Sequence, residues 1–257
     1  KNMTSFDIVR SLRLNVPVKV AFNNQETLGK LVQRLATQLE PDSLKLEVAF
    51  TNTPFLEENG LTEETVLALF IPNTYEFYWN TTAEKIAKKL SKEYRVFWNN
   101  ERLEKAKAKN LTPIQVYILA SIVHKETAKV DERPTVAGVY LNRLIQDMPL
   151  QADPTVIYAI KKRSGDFDQE IKRVFYNDLR INSPYNTYIN KGLPPGPIAM
   201  PDVSAIDAVL NAENHDYIYF CANPDKPGYH AFASSYEAHQ VNAKKYADWV
   251  SKLGINR

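Results

Sequence analysis

The sequence is poor in the residues from which most metal, redox and phosphate sites are built. It has one cysteine, Cys221, in 257 residues, which excludes an intrachain disulfide, a cysteine zinc site and a CxxC redox pair. Its eight glycines are scattered, and no two fall at the spacing of a Rossmann or P-loop fingerprint. The four histidines (His124, His215, His230 and His239) form no HExxH pattern, which argues against a zinc hydrolase. An excess of one charge is also missing. The 32 basic and 30 acidic side chains leave a formal net charge of +2, too little to draw the chain to nucleic acid or an anionic surface. No apolar run approaches the roughly 18 residues that a membrane span needs. The chain starts at Lys1 with neither a signal peptide nor an apolar anchor, and it reads as a mature fragment whose targeting segment lies outside it.

What is present describes a globular chain with a real core: hydrophobic residues make up 44% and charged residues 24%. The length suits one large domain or two smaller ones. Residues 16–22 alternate apolar and polar as a half-buried strand does, and residues 26–39 place leucines at spacings of three and four, the mark of an amphipathic helix. Short helices fill 43–70, and 71–79 is aromatic-dense and extended. From Thr82 to Lys109 runs a helical stretch with nine basic residues against four acids, best read as a solvated face.

The clearest helix start is Thr112-Pro113-Ile114-Gln115. Thr112 can cap, Pro113 suits the first turn and Gln115 can close a capping box. The residues behind it, to Val123, are apolar almost all round, so that helix is expected to be buried on most sides. Another helix spans 134–146. Residues 147–201, with seven prolines, read as loop-rich. A helix at 202–212, strands at 217–222 and 230–233, and a long final helix with an apolar stripe of Tyr246, Trp249, Val250 and Leu253 complete the chain. The predicted class is helix-dominated α+β. Residues 1–80 form a smaller N-terminal α/β subdomain and residues 81–257 the larger domain.

The buried helix ends in His124-Lys125-Glu126-Thr127. Four, seven and eight residues before Glu126 stand Ile122, Leu119 and Ile118, so its carboxylate projects from an apolar face. Desolvation disfavours the charged form there and raises the pKa, which is how a glutamate stays protonated near neutrality and serves as a general acid. A carboxylate neutralised by a buried Arg or Lys, or one surfacing at the helix end, fits the same spacing. His124 lies about 200° round the helix from Glu126, with Tyr117, Ala120 and Ser121, and is read first as a satisfied or cleft-edge histidine. Between 142 and 198, Asn142-Arg143, Leu150–Pro154, Ser183–Tyr188 and Gly192–Pro197 are dense in amides, hydroxyls and rings. Such groups suit a sugar, and they are equally common in structural turns.

Five of these segments occur in one order: Ala120–Thr127 (ASIVHKET), Ala137–Arg143 (AGVYLNR), Leu150–Tyr158 (LQADPTVIY), Ser183–Tyr188 (SPYNTY) and Gly192–Ile198 (GLPPGPI). Together they closely resemble the YceG-like family, the endolytic murein transglycosylases, with weaker similarity at Phe70–Glu76 and His230–Phe232. The resemblance implies cleavage of peptidoglycan glycan strands between N-acetylmuramic acid and N-acetylglucosamine, leaving a 1,6-anhydro end without consuming water. It implies a protein on the periplasmic side of the bacterial inner membrane, held by an N-terminal anchor and a LysM-like region whose tail begins this chain. Cell-wall synthases are the implied partners; no metal or organic cofactor and no nucleic acid is involved. The family's catalytic residue, the second acid of a Glu-x-Glu pattern, falls on Glu126. The first acid is replaced by His124, expected to serve as a polar cleft group. Substrate positioning is expected from Gln151, Asp153, Tyr185, Asn186 and Thr187, with Asn142 and Arg143 either sharing that role or bracing the cleft from behind. Two rival readings are a non-catalytic peptidoglycan-binding protein and a water-using muramidase with Asp153 as its second acid.

Overall fold

The computed structural model describes residues 3–14 and 16–252; Leu253 of the expected C-terminal stripe lies outside them. The chain divides into two compact units, Lys1–Phe97 and Trp98–Arg257.

In the first unit, α1 (Ser5–Leu14) precedes β1 (Val18–Phe22), α2 (Leu28–Ala36), α3 (Ser43–Thr51), α4 (Thr53–Asn59), a 3-10 turn (Val66–Leu69), β2 (Asn73–Phe77) and α5 (Ala83–Phe97). β1 and β2 pair antiparallel, Val18 opposite Phe77 and Val20 opposite Tyr75. The period-two pattern buries Val20 and Phe22, and Phe22 stacks on Tyr75 at 5.2 Å. Leu31, Leu35, Leu46, Phe50, Phe70 and Ile86 complete a core with no exposed surface. The helical run expected over 82–109 is two helices. Asn99 accepts a hydrogen bond from the Arg102 amide and so starts a new one, leaving α5 packed on α3 within the first unit.

The second unit is built round α7 (Pro113–Glu126), whose residues Val116–Val123 are all buried. Its start is the full capping box, with Thr112 Oγ1 accepting from the Gln115 amide and Gln115 accepting from the Thr112 amide. Around it lie α6 (Asn100–Ala108), α8 (Arg133–Ile145), α9 (Asp153–Ser164) and α10 (Val203–Leu210). β3 (Tyr219–Ala222) and β4 (His230–Ala233) form an antiparallel hairpin with Cys221 opposite Ala231, and α11 (Tyr236–Lys252) packs on it. α9 corrects the loop-rich reading of 147–201. Pro154 stands in its first turn, where a missing N–H costs nothing, and Gly165 closes it in the left-handed region at φ 73°.

One face of α8 holds the segment that leads into β3. Asn142 Nδ2 donates to the His215 and Tyr217 carbonyls at 2.8 and 2.9 Å, and Arg143 Nε donates to the Ile218 carbonyl at 2.7 Å. One turn earlier, Gly138 lets this segment approach so closely that a Cβ there would lie 2.7 Å from the Glu213 carbonyl oxygen.

Candidate functional site

α7 ends where the hairpin and the 150–153 and 188 positions come together around a polar cavity of about 330 Å³. Glu126, Arg143, Gln151, Asp153, Tyr188 and His230 all line it. Glu126 is partly exposed at the floor, and Tyr140 of α8 donates its hydroxyl to Glu126 Oε2 at 3.0 Å. Burial pushes the Glu126 carboxyl up from 4.5 to about 7; the charges of Asp153 and Glu132 add to the rise, while His230 and the Tyr140 hydroxyl oppose it. Oε2 accepts from Tyr140, and Oε1 has no hydrogen-bond partner among the described residues, so Oε1 is the oxygen left open to present the acid proton. The arrangement can therefore hold a neutral carboxyl near neutrality and present its proton to a ligand in the cavity.

The positions expected to bind substrate separate into two groups. Gln151 and Asp153 reach the cavity. Gln151 adopts φ 53°, an uncommon conformation for this residue type. It is held there by its amide donating to the Thr187 carbonyl at 3.0 Å and by Arg143 Nη1 donating to its side-chain oxygen at 3.1 Å. Asp153 opens α9, and its Oδ1 accepts from the Tyr188 hydroxyl at 2.6 Å.

Tyr185, Asn186 and Thr187 do not line the cavity; they are buried behind it. Thr187 Oγ1 accepts from the Ala152 amide and meets Thr155 Oγ1 at 2.9 Å, pinning the start of α9. Asn186 donates to the Leu179 and Ile181 carbonyls and accepts from the Tyr188 amide, which aims Tyr188. Tyr185 packs against Tyr158 with ring centres 4.7 Å apart. These three side chains brace the wall that Gln151, Asp153 and Tyr188 present. The 192–198 segment is anchored similarly, the Ile198 amide donating to the buried Ser121 Oγ of α7.

His124 also lies away from the cavity. Its Nδ1 is 3.3 Å from both Arg133 Nη2 and Asp202 Oδ2, and Arg133, almost wholly buried, donates to Asp202 and to Ser204 Oγ as well. Burial depresses the His124 pKa, partly offset by Asp202 and reinforced by Arg133 and Lys125. The neutral ring thus accepts from Arg133, and the cluster ties the end of α7 to the start of α10.

Arg143 is a buried cation that gives most of its hydrogen bonds to main-chain carbonyls. Nη1 donates to Pro149 and Leu150, each at 3.0 Å, and the guanidinium lies over the Tyr219 ring. It both braces and lines the cavity.

Sequence reasoning missed Tyr140, Tyr188, Glu132 and His230. Glu132, buried just before α8, accepts from the His230 amide at 2.6 Å and from Thr127 Oγ1 at 3.0 Å, and its Oε2 lies 2.9 Å from His230 Nδ1. Tyr140 and Tyr188 stood inside motifs already noted, while the Glu132–His230 pair spans 98 residues and leaves no trace in local spacing.

Comparison with known proteins places this geometry in context. A sequence profile of the YceG-like family matches residues 1–245. The chain is 37% identical over 176 residues to a Bacillus subtilis (strain 168) protein named endolytic murein transglycosylase, covering 68% of this chain and 46% of that one. It is 35% identical over 188 residues to the protein of the same name from Streptococcus pneumoniae R6, covering 71% and 32%. It thus spans less than half the length of either relative. The crystal structure of a YceG-like protein from Listeria monocytogenes superposes with a TM-score of 0.72 at 28% identity, covering 93% of this chain and 81% of that one.

Proposed function

The chain belongs to the YceG-like family, and from that premise we propose that its Trp98–Arg257 unit cleaves peptidoglycan strands between N-acetylmuramic acid and N-acetylglucosamine, leaving 1,6-anhydro ends. The observation that carries this reading is the Glu126 carboxyl, raised to about 7 at the floor of a polar cavity and free at Oε1 to donate. Glu126 gives its proton to the bridging oxygen as the C1–O bond breaks and positive charge develops at C1. The muramic C6 hydroxyl then closes on C1, and the proton it releases restores the Glu126 carboxyl. Tyr140 keeps Oε2 occupied throughout, so the proton leaves from and returns to the cavity side. Gln151, Asp153 and Tyr188 offer hydrogen-bonding groups to sugar hydroxyls, and these steps need neither a metal nor an organic cofactor.

A second reading is favoured by Asp153, which lines the same cavity as Glu126 and raises its pKa by its charge. Two carboxyls flanking a glycosidic bond are the equipment of a hydrolase, in which the second activates water. Here Asp153 accepts from Tyr188, an engagement that suits a fixed binding group better than a free base.

The reading extends to the surroundings on family resemblance alone. It places the protein on the periplasmic side of the bacterial inner membrane behind an N-terminal anchor, with residues 1–80 continuing a LysM-like region and cell-wall synthases as partners. Digestion of purified glycan strands by the wild type and by Glu126→Gln, read by mass spectrometry, tests the core of the proposal. Anhydro-ended fragments are expected from the wild type and a loss of about 10³-fold in the variant. Equal yields would remove Glu126 from the reaction, and no fragments from either would leave a binding protein.

A further inference from the structure

The chemistry proposed for Glu126 requires a proton to leave the attacking hydroxyl and return to the carboxylate that has just lost one. We infer that His230 is the group that carries it: its Nε2 takes the proton from the attacking hydroxyl and passes it to Glu126, with Glu132 fixing the ring. This inference rests on the glycan-cleaving reading above and adds a residue to it.

Glu132 is buried, and its two carboxylate oxygens can only accept from the donors around them. Oε1 takes the His230 main-chain N–H at 2.6 Å. Oε2 takes the Thr127 hydroxyl at 3.0 Å and faces His230 Nδ1 at 2.9 Å. A carboxylate in that position requires Nδ1 to carry the hydrogen, so in the neutral ring the lone pair lies on Nε2. Nε2 sits on the opposite side of the ring from Glu132, and no protein group among the described residues pairs with it. His230 lines the cavity that Glu126 lines.

Packing holds the ring in place. Phe220 meets it edge-on with centres 5.0 Å apart, and the same Phe220 meets Tyr140, the donor to Glu126, at 5.9 Å. Thr127, the residue after Glu126, bonds Glu132 directly, so the acid and the imidazole are oriented by one connected set of contacts. Besides His230 and Glu126, the titratable side chains lining the same cavity are Arg143, Asp153, Tyr188, Tyr219, Cys221, Tyr236 and His239.

The proton count closes over one turnover. The Glu126 O–H bond breaks and its proton goes to the departing glycosidic oxygen. The C6 oxygen bonds to C1 as its own proton goes to His230 Nε2. The imidazolium then delivers that proton to the Glu126 carboxylate, leaving both groups as they began. Glu132 never needs to change its protonation, because it acts through His230 and is a positioning residue.

The test compares strand cleavage by the full chain with its His230→Ala, His230→Gln and Glu132→Gln variants, each checked for folding by circular dichroism. His230→Ala is expected to lose about 10²- to 10⁴-fold in turnover while retaining strand binding, to lose the acid-side limb of its pH profile, and to recover in part with added imidazole. Glu132→Gln should lose less and keep that limb. If His230→Ala fails to fold, His230→Gln carries the comparison, with the pH limb as the readout. Cleavage by either histidine variant within about threefold of wild type, or a loss with an unchanged pH profile and no imidazole recovery, would overturn the relay while leaving the Glu126 reading standing. A wild type that releases no fragments would overturn both.

Discussion

Replacing Glu126 with Gln should stabilise the protein, and by an amount that depends on pH in a defined way. The unfolded chain ionises this carboxyl near its ordinary 4.5, whereas the folded protein holds the proton up to about 7. Between those values the unfolded state binds fewer protons, so wild-type stability falls as pH rises. At 1.36 kcal/mol per unit of pKa, the shift amounts to at most about 3 kcal/mol above pH 7, and solvent at the cavity mouth reduces it. Glutamine keeps the shape and still accepts the Tyr140 hydroxyl through its amide oxygen, but it has nothing to ionise. The variant and the wild type should therefore differ by a constant amount below about pH 4.5. The variant should gain steadily from there to about pH 7 and hold its advantage above that. Equilibrium urea unfolding of both proteins across this range reads the difference directly, since every other titrating group is common to the pair. A difference independent of pH would refute the raised carboxyl and the general-acid argument built on it. A wild type that gains on the variant with rising pH would do so more strongly still.

Three further perturbations test the surrounding architecture. Gly138→Ala drives a methyl against the Glu213 carbonyl and the His215 ring, and should cost about 1–3 kcal/mol or more in urea unfolding, because main chain must move to admit it. Tyr140→Phe removes a hydrogen bond that favours the Glu126 carboxylate, so the Glu126 pKa should rise further and the alkaline limb of the activity profile move to higher pH; carboxyl carbon NMR would follow it. Arg133→Met removes the buried cation between Asp202, Ser204 and His124, and should destabilise by about 1–3 kcal/mol in thermal or urea unfolding, because Ser204 and His124 lose a buried donor while the half-exposed Asp202 is still reached by solvent.

The parts of this structure legible in the sequence are those governed by near neighbours. The Thr112 capping box, the buried run behind it and the apolar placement of Glu126 all depend on residues within about two helical turns. α9 escaped because proline density was read as loop, although Pro154 in a first turn and Gly165 at a C-terminus are helix boundaries. The break between α5 and α6 turned on one asparagine cap at Asn99, which a continuous basic pattern concealed. At the site, Gln151 and Asp153 face the cavity, whereas Tyr185, Asn186 and Thr187 support it from behind. Nothing in composition separates an amide that binds a ligand from one that binds a carbonyl. His124 illustrates the same limit: its helical position was readable, but its partners Arg133 and Asp202 come from other elements. The Glu132–His230 pair is the extreme case, since the hairpin alone brings the two together.

The most direct test of the central claim is a digest of glycan strands in oxygen-18-labelled water by the wild type and by Glu126→Gln, with the new ends read by mass spectrometry. The account predicts anhydro ends that carry no label from the wild type, and almost none from the variant. Labelled reducing ends would show that water is the nucleophile and shift the chemistry to Asp153. Cleavage undiminished in the variant would remove Glu126 from the reaction.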